Sequence, residues 1–411
     1  MKKRNSGALA LICPLVLFFM VISVKTEAAE TLHLGATVPF QYRVGIEIKQ
    51  NLLMLADLLN KAGGLSAGGK KYTIEYHIYD DKYDADVGRA AAEKLVHEDK
   101  VKFMVGPFAS NVNLAIVGVT EPNKIPIFSV AASEKLLDPK LKYFVHTYAS
   151  KYAYGQIKGY IENWPEIKRV LLCSYDDATG HSLCETQEKA HKAFGLTVLP
   201  TLYFKRGEMD FTQIAIKAIN MKPDLLYCHG INGEAEIIQL VKALKDLGFK
   251  AHIHASYMTP KVLEELVARV GKKGVEGLHV IIEDPTLFPE SIRPPEAVEL
   301  RRHYEKYYGM WESTGASWVG NWYTWLAAVK KADSLDPDKV VGAIDRNFEV
   351  RTPIGTAKFF TRPDLGNYRY CDYSTMVVGG IIKDGKINFS FAKDADWGIE
   401  AIEKVYGVKM R

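Results

Sequence analysis

The side chains best suited to recognition chemistry fall in two short loops. Gly106-Pro107-Phe108-Ala109-Ser110-Asn111 follows the apolar run Phe103–Val105 and precedes a helical pattern. Ser129-Val130-Ala131-Ala132-Ser133 follows the run from Ile125 to Phe128 in the same way. A strand-to-helix turn leaves backbone N–H groups unpaired at the positive end of the helix. A serine hydroxyl beside them adds a neutral donor, so each turn suits an anion. Ser133 also has the simpler role open to any serine before a helix, that of N-cap. Two such turns on neighbouring strands make a clamp for a carboxylate.

Catalytic sets are thin by comparison. His181 and Cys184 are three residues apart, but no third group marks them as a nucleophile and its base. His252 and His254 share a strand face without cysteine or acidic partners at ligand spacing. Asp80-Asp81 and Asp176-Asp177 end strands, where carboxylates commonly cap the next helix. The first strand turns through Gly35-Ala36-Thr37-Val38-Pro39 rather than a dinucleotide fingerprint, and neither a P-loop nor a nucleophile elbow occurs. The expectation is a binding protein, not an enzyme, with no catalytic residue, cofactor or metal.

The elements that must hold these loops alternate. Strands are expected at Leu32–Val38, Tyr72–Tyr79, Phe103–Val105, 125–130 and 144–147. A second series follows at 170–175, 197–203 and 225–229. The first helix carries Ile46, Leu52, Leu53, Leu55, Ala56, Leu58 and Leu59 on its expected buried side and stops at Gly63-Gly64. Later helices are expected at 182–194, 211–220 and 234–247. Short strands alternating with longer helices imply parallel sheets covered on both faces, an α/β class with two Rossmann-like lobes. Pro285, Pro289, Pro294 and Pro295 mark a loop. Trp318, Trp322, Tyr323, Trp325 and Leu326 form a stripe expected to be core, and Tyr370–Ile382 pairs with Ile387–Phe391 as a hairpin.

The 411-residue chain opens on Lys2, Lys3 and Arg4, an apolar run from Ala8 to Val24, and small residues ending at Ala29. That order predicts a secretory signal peptide over residues 1–29. As a membrane anchor the run is at the short limit and contains Pro14, and Ile12 before Cys13 argues against a lipoprotein. Most of the formal charge of +4 belongs to the leader, so nothing points to nucleic acid. Cys173, Cys184, Cys228 and Cys371 are too sparse for a disulfide scaffold, and their pairing is left open.

Taken together, these residues resemble the periplasmic leucine/isoleucine/valine-binding protein family, type I solute-binding proteins of ABC transporters. The likeness runs from Leu32 to about Ile382. It rests on Leu34-Gly35-Ala36, Asn60 to Gly64, Tyr79-Asp80-Asp81, Gly106 to Ser110, Phe128 to Ser133, and Thr352-Pro353-Ile354-Gly355-Thr356 in that order. The resemblance implies two lobes joined by three crossings near Ala149, Ile281 and Arg351. Lobe 1 would comprise 30–149 plus 282–351, lobe 2 150–281 plus 352–396, with 397–411 a C-terminal extension. Ser110 would hold a ligand carboxylate, with Ala131 and Ser133 completing the clamp. Asn111, Phe108 and Tyr152 are expected to join the site, with Thr179 and Asn232 reaching in from the second lobe. Tyr257 stands where leucine-type members place a glutamate for the ligand ammonium. A branched-chain or related amino acid is the first expectation, with Asp176, Asp177 or Glu234 as substitute acids. An aromatic or other hydrophobic acid lacking an amine is the alternative, and a sensory ligand-binding protein of the same fold is a third. The expected partners are the small carboxylate and ABC permease subunits, the expected compartment the periplasm, and the expected state a monomer.

Overall fold

The computed structural model describes residues 29–131, 133–147, 151–231, 233–255, 258–282, 284–311, 318–345, 347–365, 368–374 and 376–410; at 134, 151–153, 178, 364 and 368–374 only the backbone is described.

The first sheet is built on β1 (Glu30–Val38), β2 (Leu65–Ala67), β3 (Lys70–Asp80), β4 (Phe103–Val105), β5 (Ile127–Ser129) and β6 (Phe144–His146). Its order is β2-β3-β1-β4-β5-β6, parallel except for β2. Leu34, Ala36 and Val38 of β1 have no exposed surface, as expected of a strand covered on both sides. Helix α1 (Arg43–Lys61) buries Ile48, Leu52, Met54 and Leu55. Ile46 and Leu53, expected on that face, are instead exposed, because the stripe facing the sheet is set one step round the helix. Helices α2 (Ala85–His97) and α3 (Ser110–Thr120) complete this part.

After α4 (Lys151–Asn163) a second sheet begins with β7 (Arg169–Tyr175), β8 (Thr197–Phe204), β9 (Leu225–Cys228), β10 (His252–Ala255) and β11 (His279–Ile281). Helices α5 (Ala178–Ala193), α6 (Thr212–Met221), α7 (Glu234–Asp246) and α8 (Pro260–Val275) alternate with these strands. The chain then returns to the first sheet through α9 (Pro295–Tyr308), which packs on α1, and α10 (Gly320–Ala332), followed by α11 (Pro337–Gly342). Within this stretch the tryptophan stripe is core. Trp325 is wholly buried against Phe103, and Trp322 stacks on Tyr76.

The tail differs from the simple hairpin expected. Strands β12 (Glu349–Thr352), β13 (Gly355–Arg362) and β14 (Tyr368–Ser374) form a three-stranded antiparallel sheet. β15 (Val377–Lys383) and β16 (Lys386–Lys393) form the expected antiparallel hairpin and extend the second sheet, β15 running antiparallel to β11. The run Tyr370–Ile382 is therefore two strands in two sheets, whose hydrogen-bond partners differ. The crossing expected near Arg351 lies inside β12, and that expected near Ala149 lies outside the described residues. Residues 397–406 of the expected extension belong to helix α12 (Ala395–Tyr406), which packs on α4 with the Tyr154 and Tyr406 hydroxyls 2.8 Å apart.

Both parallel sheets are doubly wound, with helices and strands ordered as in mixed α/β proteins. Strand order reverses between β1 and β4 in the first and between β7 and β9 in the second. Crevices beyond the carboxyl ends of strands at such points are where open α/β sheets bind ligands.

Candidate ligand-binding cleft

Gly106 begins the first loop at φ +121°, and a Cβ there would stand 2.5 Å from Leu52 Cδ1. Glycine alone meets both conditions, and it lets the chain turn directly from β4 into α3. Ser110 is the first residue of α3 and 3% exposed. Its hydroxyl accepts the Ser133 N–H at 3.1 Å, which joins the two loops. The Ser129 hydroxyl braces them from behind, donating to Pro107 O at 2.8 Å and accepting from Ala131 N at 3.0 Å. Ala131 O is met by His146 Nε2 at 2.6 Å. Ala131 thus has both backbone groups engaged, while Ser133 Oγ lies 3.1 Å from Ser182 Oγ and 3.4 Å from Lys135 N.

Ser182 sits on α5, so that last contact spans the two sheets' territories. Helix α5 starts where Asp177 caps it, Oδ1 accepting from Gly180 N at 2.8 Å. Thr179 is buried at this N-terminus beside Tyr83. Arg206, after β8, reaches over from the same side. Its guanidinium lies 3.7 Å from the Tyr175 ring centre, 4.0 Å from that of Tyr83 and 5.9 Å from that of Tyr42. Its Nε donates to Asp177 Oδ2 at 2.6 Å.

Phe108 is edge-on to Tyr83 and to Trp318, and Tyr83 is edge-on to Tyr42, so a continuous aromatic wall runs along the first lobe's rim. Lys82 and Tyr83 both hold left-handed backbone conformations, φ +51° and +56°. Two consecutive non-glycine residues in that region are costly and persist only where their surroundings over-determine them. Tyr83 N donates to Asp81 Oδ1 at 2.8 Å, and Tyr83 O accepts from Asn111 Nδ2 at 2.8 Å. The Asn111 amide therefore holds Tyr83 in place.

The acids that flank the cleft are already engaged. Asp176 Oδ1 is 2.8 Å from His181 Nε2, and Asp177 serves Arg206 and the α5 cap. Glu234 is 3.7 Å from Arg43, and buried Glu236 accepts from Gly207 N at 2.9 Å. Burial pushes the Asp81 carboxyl up to about 7, so it is a weak standing charge at neutral pH. Of the strand-ending aspartates Asp80, Asp81, Asp176 and Asp177, only Asp177 behaves as the expected helix cap. Asp80 and Asp81 accept from N–H groups of the loops, and Asp176 pairs with the histidine.

The structure brings Ser110, Ser133, Phe108, Asn111, Ala131 and Thr179 to one cleft wall or its facing helix. Asn232 and Tyr257 lie outside the described residues, as does the side chain of Tyr152. Sequence reasoning missed Tyr83, Arg206 and Ser182. Only the repeated aspartates before Tyr83 hinted at a pinned loop; the other two have no local signal. Catalysis finds no support here. Burial pushes the Cys184 thiol up to about 12, far from a thiolate, and His181 is turned to Asp176 and stacked 4.1 Å from the Tyr203 ring. His252 and His254 diverge: His252 Nδ1 faces His279 Nε2 at 2.9 Å, and His254 Nδ1 faces the Tyr160 hydroxyl at 2.6 Å.

The same architecture occurs in solved proteins. A leucine-binding protein from Thermotoga maritima is similar at TM-score 0.70 and 20% identity, covering 89% of this chain and 99% of its own. An ABC transporter solute-binding protein from R. palustris, in complex with 4-hydroxybenzoate, gives TM-score 0.71 at 18% identity over 90% and 99%. A branched-chain amino acid transporter substrate-binding protein from Streptococcus pneumoniae, in complex with isoleucine, gives 0.69 at 17% identity over 89% and 99%. At these identities the likeness shows the type I two-lobed fold. A family model for periplasmic binding proteins matches residues 37–369. The chain belongs to the periplasmic binding protein family, whose members bind solutes rather than transform them.

Proposed function

We propose that this protein is the periplasmic receptor of an ABC transporter for a small aromatic or hydrophobic carboxylate that lacks an amine. One observation carries the reading: Asp176, Asp177, Glu234 and Glu236 are each engaged by a protein cation or N–H, and Asp81, raised by burial to about 7, is only partly ionised at neutral pH, while the wall beside the serine clamp is aromatic. An ammonium would need an acceptor with charge to spare, and a buried unpaired charge costs several kcal/mol. A carboxylate asks only for donors, which the Ser110 hydroxyl and the α3 N-terminus supply. Phe108 and Tyr83, edge-on to each other, give that wall an aromatic surface suited to a ring. The 4-hydroxybenzoate bound by a protein of this fold is a ligand of that chemistry. In this reading the leader carries the chain to the periplasm, Ser110 and Ser133 hold the carboxylate, and Thr179 and Ser182 close on it from the second lobe. The loaded, closed form is what permease subunits would receive.

Paired calorimetric titrations test the ligand class, benzoate and 4-hydroxybenzoate against phenylalanine and leucine. The expected result is at least about tenfold tighter binding of the amine-free acid, equivalent to about 1.4 kcal/mol. Tighter binding of either amino acid by the same margin overturns the reading and restores a leucine-type receptor.

A further inference from the structure

We propose that the first lobe carries a divalent transition-metal site of the zinc class at His33, Glu75 and His77, far from the ligand cleft. β1 and β3 run parallel with His33 in register with Glu75 and Gly35 with His77. Alternation along each strand puts all three side chains on one face of the sheet. His33 Nδ1 and His77 Nε2 stand 3.0 Å apart. The Glu75 carboxylate faces both rings, Oε2 3.7 Å from His33 Nδ1 and Oε1 3.6 Å from His77 Nε2. A tetrahedral ion with bonds of about 2.0–2.1 Å spaces its ligand atoms by about 3.3–3.4 Å. The two imidazoles lie close to that value, and with one Glu75 oxygen counted the three ligand atoms fall within 4.8 Å of one another, so a rotation of the exposed carboxylate brings the three groups onto one ion.

The surroundings match what a histidine ligand needs. His77 turns its second nitrogen, Nδ1, toward Asp99 Oδ1 at 3.7 Å. Asp99 is itself held by the Tyr79 hydroxyl at 2.9 Å. A carboxylate behind a metal-bound imidazole fixes its tautomer and raises its basicity. His33 and Glu75 are 34% and 57% exposed, which leaves a fourth position open to water or an outside ligand. Two imidazoles and one carboxylate favour zinc, nickel or copper over calcium or magnesium.

A similar pair in the second sheet shows what is missing when a cluster is not a site. His252 points Nδ1 at His279 and Nε2 at Glu166, so its ring separates the two partners and the three ligand atoms do not converge. The proposed site lies five residues before the carboxyl end of β1, about 16 Å along the strand. Its occupancy is therefore expected to leave solute binding unchanged.

The test is calorimetric titration of the untagged mature protein with Zn2+, alongside Co2+ titration followed by visible d–d absorption. One ion per chain is expected at an affinity on the order of micromolar, with a tetrahedral cobalt spectrum. His33→Ala and His77→Ala should each weaken Zn2+ binding by at least about tenfold. Glu75→Gln, a change on an exposed side chain that preserves the fold, should weaken it too, while His252→Ala should not. Absence of saturable binding below about 100 µM, or retention of wild-type affinity in Glu75→Gln and both folded histidine variants, overturns the proposal.

Discussion

Ser110 and Ser133 differ in what their hydroxyls already serve. Ser110 Oγ accepts one N–H from Ser133, whereas Ser133 Oγ sits between Ser182 and the N–H of Lys135. Ser110→Ala removes a donor aimed at a charged acceptor and also leaves the Ser133 N–H without that partner. Carboxylate affinity should fall by about 1–3 kcal/mol, read by calorimetry with the tightest acid found. Ser133→Ala should cost less, because its hydroxyl is divided between closure and the local turn. Equal and negligible effects of both variants would remove these loops from the site. Tyr83 is marked in the linear pattern only by the aspartates before it. Its role follows from its left-handed backbone, its two backbone hydrogen bonds and the guanidinium over its ring.

Elements place these side chains only if the chain can make its turns. The β4-to-α3 turn depends on Gly106, whose φ of +121° strains any residue with a side chain. Gly106→Ala should destabilise the protein by about 1–3 kcal/mol, seen as a lower urea midpoint, and should weaken ligand binding by displacing Ser110. A variant with wild-type midpoint and affinity would show that the loop tolerates another path. Facing it, α5 depends on Asp177, which caps the helix and pairs with Arg206 using its two oxygens separately. One residue thus sets both the helix start and the cation that reaches Tyr42 and Tyr83. The helix that supplies Ser182 and the arginine that covers the aromatic wall are consequently positioned together.

At the scale of the whole molecule, the second lobe is built around neutral histidines. Burial pushes His191 and His229 down to about 4 and His279 to about 3, and burial with neighbouring histidines pushes His254 well below the ordinary range. In the unfolded chain each titrates near 6.5, so below that pH the unfolded state binds more protons. Their contribution to stability is therefore complete above about pH 6.5 and is lost as pH falls toward 4. Asp81 works in the opposite direction: its raised pKa favours the fold at low pH, and that contribution is lost as pH rises toward 7. Asp284 and Glu121, also raised by burial, share that sign. The histidine effect is isolated by comparing the protein with His191→Gln, which can keep the bond to Gln187 O that His191 makes at 2.7 Å. The stability difference between the two should shift in the variant's favour by about 1–2 kcal/mol from pH 7 to pH 5. Parallel urea midpoints across that range would refute the buried neutral state of His191.

What the sequence determined by itself was the alternation of short strands and longer helices, and with it the α/β class. Periodicity is a property of neighbouring residues, so Phe103–Val105 and the turn into Ser110 were readable without any partner. Pairing was not readable in the same way. Tyr370–Ile382 reads as one strand in the sequence, yet β14 and β15 bond to different strands in different sheets, because nothing local names the partner. The same holds for the site: Ser133 meets Ser182 across 49 positions and Arg206 covers Tyr83 from the far side of the cleft. The proposed ligand class rests on this level too. Asp176, Asp177 and Glu234 look equally available as a string, and only tertiary structure commits each to His181, Arg206 or Arg43. His33, Glu75 and His77 become a cluster only once β1 lies beside β3 in one register. Chain-local preferences act through covalent neighbours, whereas charge partners and metal ligands are selected by strand register and lobe packing, over sequence distances that composition and spacing do not encode.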